Sequence, residues 1–271
     1  MVQPGSPPGA SSAGRPSDGV DAIGACGAGD VVAAVLSLSE ASSTGDDAGY
    51  LDWHLHDHLP EQHRLAGLRH GARFASTPEC RAARLAEGGE LDAVDHVVTY
   101  LFAPPVDVAL DAFFALGAAL RGAGRMPVSL PSVQVGAWWV DAAVASPAAL
   151  VGAAVVPWRP ATGILLVVEQ VAADAPAPGL AALVDVPGVA GAWSLRGSGS
   201  CRAPLADTSG YEITLAYLDA PPPEVAERAA PVLRARWAQG SRTPVLAAPF
   251  HTVDPAAIGR FLPNQSAEIA S

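Results

Sequence analysis

One order of segments occurs twice along this chain, and that repetition constrains the fold more than any other feature. In the first half, apolar runs typical of buried strands alternate with two helical segments and end at a glycine-rich exit before RMPV (125–128). The second half repeats the order and reaches a matching exit at RTPV (242–245). Two copies that agree in element order indicate an internal duplication.

The predicted elements lie at matching places in the two halves. In the first half the pattern predicts strands over 31–39, 68–76 and 95–105 and helices over 48–59 and 106–124. In the second half it predicts strands over 163–171, 186–195 and 211–223 and helices over 180–184 and 223–239. Each half adds an extended piece after its exit. The predicted fold class is α+β, with two ferredoxin-like β-α-β-β-α repeats.

Composition and the repeat together set the predicted boundaries. Residues 1–28 are mostly Gly, Ser, Pro and Ala, which predicts a disordered tail, and they lack the basic region and apolar core of a signal peptide. We predict a first repeat over 29–126, an inter-repeat connection over 127–160, a second repeat over 161–263 and a short tail over 264–271.

Charge and cysteine content exclude several classes of function. The net charge of −11 argues against a nucleic-acid or anionic-membrane partner, because phosphate binding needs an excess of Lys and Arg. No apolar run reaches the roughly 18 to 20 residues of a membrane span. Cys26, Cys80 and Cys201 form no CxxC pair, which favours a reducing compartment. We therefore expect a cytoplasmic protein whose partner is a small molecule.

The segment WHLHDHLPEQHRLAGLRHGARF (53–74) begins with three histidines in eight positions. It resembles the signature of the dimeric α/β-barrel superfamily, particularly its EthD-like branch. The resemblance is carried by Trp53, Asp57, His58, Leu59, Pro60, Gly67, Leu68, Arg73 and Phe74. It implies that the antiparallel sheets of the two repeats pack face to face as an intramolecular α/β barrel. Residues 172–187 carry neither the Trp nor the His, so we expect the functional site in the first repeat.

Helical geometry separates the histidines of this segment. At about 100° per residue, His58 lies on the apolar stripe, His54 lies at its edge and His56 points away. Pro60 predicts that the helix ends near Leu59. We take His58 as a candidate catalytic residue in acid–base chemistry, with a hydrogen-bonded structural histidine as the alternative.

A metal site is the weaker interpretation of the same histidines. His54 and His58 have the i, i+4 spacing that lets two imidazoles meet one ion. However, Leu55 stands where the HExxH pattern needs Glu, and His70, His96 and Asp57 lie at no diagnostic spacing. We predict no metal ligand and no cofactor.

Strand alternation yields the remaining candidates. His70, the second catalytic candidate, and the pair Arg69 and Arg73 point to opposite faces of one strand, so either His70 or the arginines face the cavity. Arginines in a cavity without acid partners would imply an anionic ligand. The candidate substrate-binding residues are Trp53, His54, Arg73 and Tyr100.

The resemblance implies cofactor-independent proton-transfer chemistry on a small, largely apolar carbonyl or carboxylate compound, and we expect an isomerase, cyclase or lyase. One alternative is a haem-binding or monooxygenase barrel protein. Another is a non-catalytic small-molecule-binding or accessory protein of a catabolic or biosynthetic pathway. A homodimer is left open. Trp138, Trp139 and Trp158 fall in the connection, where they would either form an aromatic lid over one barrel mouth or pack the connection against a domain.

Overall fold

Eight strands close into an antiparallel barrel in the computed structural model, which describes residues 31–126, 130–199 and 203–263. The strands are β1 (Ala33–Ser39), β2 (Leu68–Ala75), β3 (His96–Phe102), β4 (Ser132–Ala145), β5 (Gly163–Val171), β6 (Val189–Gly197), β7 (Tyr211–Leu218) and β8 (Arg242–Thr252). Around the barrel they run in the order β1-β3-β2-β8-β5-β7-β6-β4. The first repeat contributes β4-β1-β3-β2 and the second β8-β5-β7-β6, which is the same order twice. The predicted α+β duplication and the barrel are confirmed.

Helices cover the outside of the barrel. They are α1 (Asp47–Trp53), α2 (Leu59–His63), α3 (Pro78–Ala82), α4 (Val106–Gly122), α5 (Leu180–Val184) and α6 (Pro222–Trp237), and a π turn (His54–His58) joins α1 to α2. Short 3₁₀ helices span Pro147–Ala149, Ala153–Trp158 and Pro255–Arg260. Within the described ranges, no helix combines the length and the apolar character that crossing a bilayer requires.

The lumen of the barrel is a packed core. Alternate residues of every strand point inward, and large apolar side chains such as Leu36, Phe74, Leu101, Ile164 and Phe250 fill it. The opposite face of the first sheet packs against α4 and the α1–α2 helical run in a separate apolar cluster. The first sheet therefore has an apolar layer on each face, one in the lumen and one under its helices. The space between the sheet and its helices is distinct from the lumen.

The predicted connection over 127–160 contains a barrel strand. Strand β4 pairs with β1 on one side and with β6 on the other, so the extended piece expected after RMPV is present. Trp138 is buried in the lumen, while Trp139 on the opposite face is 45% exposed. These two residues do not form the aromatic lid that was one of the two alternatives, because strand alternation sends one inside and the other outside.

The helix that carries the histidines continues beyond its predicted end at Leu59. Helical structure runs on to His63, because the π turn intervenes: the Leu59 N–H donates to the His54 carbonyl, five residues back. Pro60 lies in the first turn of α2. At that position the N–H that proline lacks would have no partner within the helix, so its absence costs little.

Candidate functional site

A cavity of about 540 Å³ lies between the outer face of β1 and β3 and the helices of the first repeat. Aromatic and aliphatic side chains from the sheet and from α4 form much of its wall. Polar groups converge on it from the α1–α2 run and from β3, namely Tyr50, His54, His58, Gln62 and Tyr100. A mostly apolar cavity with a few convergent polar groups is typical of a small-molecule site.

His54 and Tyr100 form a buried pair on this wall. His54 is 2% exposed, and its Nε2 lies 3.0 Å from the Tyr100 hydroxyl oxygen. Its Nδ1 has no hydrogen-bond partner among the described residues. In either neutral tautomer one ring nitrogen is therefore satisfied by Tyr100, and the other is left as a donor or an acceptor without a partner among the described residues.

Burial keeps this pair uncharged. Desolvation lowers the pKa of His54 well below its usual value, and the positive charge of Arg73 lowers it further. Desolvation raises the pKa of the Tyr100 phenol above its usual value. At neutral pH the pair is an imidazole and a phenol, which suits it to bind and orient an oxygen atom of a substrate rather than to hold a full charge.

His58 forms the adjoining part of the wall. Its ring stacks on Trp53 with centroids 4.9 Å apart, and its Nε2 accepts a hydrogen bond of 2.8 Å from Gln62 Nε2. Neutral His58 then carries its proton on Nδ1, which lacks a partner among the described residues. Burial lowers the pKa of His58. The stack thus places the His58 imidazole, with its N–H at Nδ1, beside the imidazole of His54.

The loop after α4 holds this helical segment in place. The Trp53 indole Nε1 donates to the Arg125 carbonyl oxygen at 2.9 Å. The Arg125 guanidinium bridges Asp57 at 2.9 Å and Glu61 at 3.0 Å. These exposed ion pairs add little energy individually, but together with the indole bond they fix the end of α4 against the π turn.

The structure brings four of the six candidate site residues together: Trp53, His54, His58 and Tyr100 line the cavity. His70 does not join them, because it faces the lumen side and packs on Trp158 with ring centroids 5.4 Å apart. It also does not share a face with Leu68, as simple alternation along the strand would require. A register shift between the two residues reverses the alternation and leaves Leu68 in the outer cluster.

Arg73 takes the helix side and His70 the lumen, so of the two predicted alternatives the one in which His70 faces the inside of the barrel holds. It is 2% exposed and lies behind Tyr50, with its guanidinium 4.6 Å from the centre of the tyrosine ring. Arg69, on the same strand, is exposed and donates to the Ala66 carbonyl. The alternative of a barrel cavity lined by the two arginines is therefore wrong, and Arg73 is instead buried between the sheet and its helices.

Sequence reasoning missed Tyr50 and Gln62 on this wall. Tyr50 lies one turn before His54, and their rings stack at 6.1 Å. Gln62 lies one turn after His58. The i, i+4 spacing was a usable signal, but the prediction that the helix ends near Leu59 placed Gln62 outside it.

In the described part of the chain no three His, Cys, Asp or Glu side chains are grouped to hold a metal ion. The corresponding face of the second repeat holds buried charges instead. Glu169 is fully buried and pairs with Arg236 and Arg242, and Arg242 also contacts Glu212 at 2.9 Å. Two acids and two arginines balance one another there. The location of the functional site in the first repeat remains a prediction.

No protein-family model matches the chain, and no curated protein matches it. Solved structures do. A candidate chlorite dismutase matches with a TM-score of 0.51 at 13% identity, covering 86% of this chain and 99% of that one. The chain has the dimeric α/β-barrel fold. A candidate monooxygenase from Fusobacterium nucleatum subsp. nucleatum matches with a TM-score of 0.50 at 7% identity, covering 83% and 94% of the two chains.

These neighbours correct the expected reaction. The expectation of an isomerase, cyclase or lyase is wrong, because the neighbours are named for a dismutase and a monooxygenase. They match the alternative, a haem-binding or monooxygenase barrel protein. At this level of identity the similarity itself establishes the fold alone.

Proposed function

We propose that this protein is an oxidative enzyme of the monooxygenase type, which binds a small, largely apolar aromatic compound in the first-repeat cavity. The observation that carries the proposal is the neutral His54–Tyr100 pair, whose second imidazole nitrogen is unpartnered among the described residues at the wall of an aromatic cavity. A substrate hydroxyl or carbonyl oxygen would bond to His54 Nδ1.

The remaining walls suit an aromatic ring. Phe113 packs edge-on against Tyr100 with centroids 4.9 Å apart, and Phe114 lines the cavity beside it. Trp53 and His58 present a stacked pair from the helical run. Aromatic walls bind a flat apolar ring through area burial and offset stacking.

Oxidation by dioxygen needs no external reductant when the substrate supplies all the electrons that reduce the dioxygen. In one such reaction a ring CH₂ group becomes C=O while dioxygen is consumed: two C–H bonds break, one oxygen atom enters the product and the other leaves as water. The protein positions the substrate and shields it from solvent. Proximity and orientation of this kind contribute several kcal/mol to a rate.

A haem fits this cavity poorly. An axial histidine needs a nitrogen facing the iron, and its other nitrogen usually donates to a carboxylate or a backbone carbonyl. His54 and His58 have their Nε2 atoms on the Tyr100 hydroxyl and the Gln62 amide, and no described carboxylate or carbonyl accepts from either Nδ1. The mechanism proposed here therefore uses no haem.

Oxygen uptake with a panel of phenols, hydroquinones and benzylic ketones tests the proposal. We expect uptake with at least one of them and incorporation of labelled oxygen into the product. His54→Phe and Tyr100→Phe should each lower kcat/KM about a hundredfold, because both disturb the oxygen-binding pair. His56→Phe, on the exposed side of the same π turn, should leave it unchanged. A Soret band in the purified protein would contradict the proposal and favour a haem-binding protein. A colourless protein that takes up no oxygen would favour a non-catalytic small-molecule-binding protein.

A further inference from the structure

Arg73 is a buried cation whose partners within the described residues are incomplete. Its Nη1 donates to the Tyr50 hydroxyl oxygen at 3.3 Å, while Nε and Nη2 have no hydrogen-bond partner there. The residue is 2% exposed, and no described carboxylate forms an ion pair with it. A buried charge in this state is costly unless an anion compensates it. A ligand of the protein can supply that anion.

Among the described residues no carboxylate is hydrogen-bonded to the Arg73 guanidinium. The ionisable groups that its field reaches are neutral or titrate to cations, namely His54, His58, His96 and Tyr100. The carboxylate of Asp47, on α1, is bonded to His96 Nε2 at 2.8 Å and to the Ser42 N–H at 2.9 Å. The Arg73 guanidinium, with two of its three nitrogens unpartnered among the described residues, therefore lies behind one wall of the cavity.

Tyr50 connects Arg73 to the cavity. Its ring lies beneath the guanidinium and lines the cavity, and its oxygen accepts the Arg73 Nη1–H. Since that hydrogen bond occupies the oxygen as an acceptor, the phenolic proton of Tyr50 is left to donate to another group. A hydroxyl that accepts from a guanidinium is a stronger donor, because hydrogen bonds in a chain polarise one another.

We propose that the cavity binds its ligand as an oxyanion, a phenolate, enolate or carboxylate on an apolar ring, held by the Tyr50 hydroxyl with Arg73 behind it. Tyr50 touches the ligand, and Arg73 acts through Tyr50 as a positioning residue. The proposal rests on the proposed function, in that it takes the same cavity as the substrate site. It adds the charge of the bound form, which matters because an ionised aromatic gives electrons to dioxygen more readily than its neutral acid.

Two probes of matched shape test this. 4-Nitrophenol is coloured when ionised, and 4-nitroanisole carries a methyl group in place of the proton and stays neutral. At a pH where nitrophenol is ionised in solution, we expect the wild-type chain to bind nitrophenolate at least about tenfold more tightly than nitroanisole, a difference of about 1.4 kcal/mol. Tyr50→Phe and Arg73→Met should abolish that preference and leave nitroanisole affinity within about twofold of wild type.

Arg69→Met is the matched control, since Arg69 lies on the same strand but is exposed. It should keep the full preference. If Arg73→Met does not fold, Tyr50→Phe decides alone, because it removes a single oxygen atom. Equal affinity of the two probes for wild type, or a preference retained in Tyr50→Phe, overturns the proposal. Oxygen uptake without anion preference refutes this inference alone, whereas anion preference without uptake with any substrate refutes the oxidative function alone.

Discussion

Trp53 and His58 are five residues apart along one helical run, yet their rings stack at 4.9 Å with an angle of 24° between the planes. In a regular α-helix two such residues would lie about 140° apart around the axis. The π turn between them has more residues per turn and brings both onto one side. The irregular turn thus makes a single aromatic wall out of two residues that a helical wheel separates.

Removal of the Tyr100 hydroxyl should destabilise the fold. Tyr100→Phe leaves His54 Nε2 buried without its partner, so the free energy of unfolding should fall by about 1–3 kcal/mol. Urea unfolding measures it. Tyr217→Phe is the matched control, because the Tyr217 hydroxyl is buried in the lumen without a partner among the described residues. That variant should be at least as stable as wild type, and equal losses in the two variants would contradict the assigned hydrogen bond.

Gly117 keeps space open in the cavity. It lies inside α4, where glycine costs about 1 kcal/mol relative to alanine, and a Cβ there would meet nothing within 4 Å. Gly117→Leu should therefore weaken ligand binding at least about tenfold without lowering the thermal midpoint. Gly122→Leu, at the end of the same helix and away from the cavity wall, should leave binding intact. Unchanged binding in Gly117→Leu would show that the ligand sits elsewhere.

Stability should decrease as the solution is acidified below pH 6.5. Burial lowers the pKa of His54, His58 and His96, and it lowers the pKa of His70 from 6.5 to about 4. The unfolded chain then binds more protons than the folded one, so this stabilisation is complete above pH 6.5 and is lost as the pH falls towards 4. Urea midpoints across this range measure the effect. His70→Phe should flatten the curve and the exposed His56→Phe should not; a curve that is flat in wild type would refute the prediction.

The buried charges of the second repeat should be structural. Glu169→Gln leaves Arg236 and Arg242 buried with too little negative charge, so the free energy of unfolding should fall by about 3–5 kcal/mol. Glu224→Gln breaks the exposed pair with Arg228 and should change it by no more than about 1 kcal/mol. Chemical denaturation compares the two. Similar small losses would mean that solvent screens Glu169.

Periodicity predicted most of the elements because each strand and helix buries one face. The range 163–171 is reproduced as β5, and 180–184 as α5. Proline rules failed at Pro60, since a π turn is defined by hydrogen bonds that no composition pattern reveals. Alternation failed at His70, because a register shift changes the face without changing the sequence pattern.

The site was predicted in part for the same reasons. His54, His58 and Trp53 could be placed by the motif and the wheel, and Tyr100 by alternation with its neighbours on β3. Which side of the sheet holds the cavity could not be predicted, because both faces of this sheet are apolar. The decisive fact is that lumen side chains such as Leu36 and Leu101 fill the inside.

The two seams that join the repeats are unequal. Strands β4 and β6 share seven residue pairs, whereas β2 and β8 share only Phe74 with Thr252 and Ala75 with His251. Few backbone hydrogen bonds hold the second seam, and it borders Arg73, whose carbonyl accepts the Val253 N–H. The barrel is thus joined by one long strand pair, β4 with β6, and one short strand pair, β2 with β8. Amide protons should exchange first at the short pair, so that the wall behind Tyr50 loosens before either sheet comes apart.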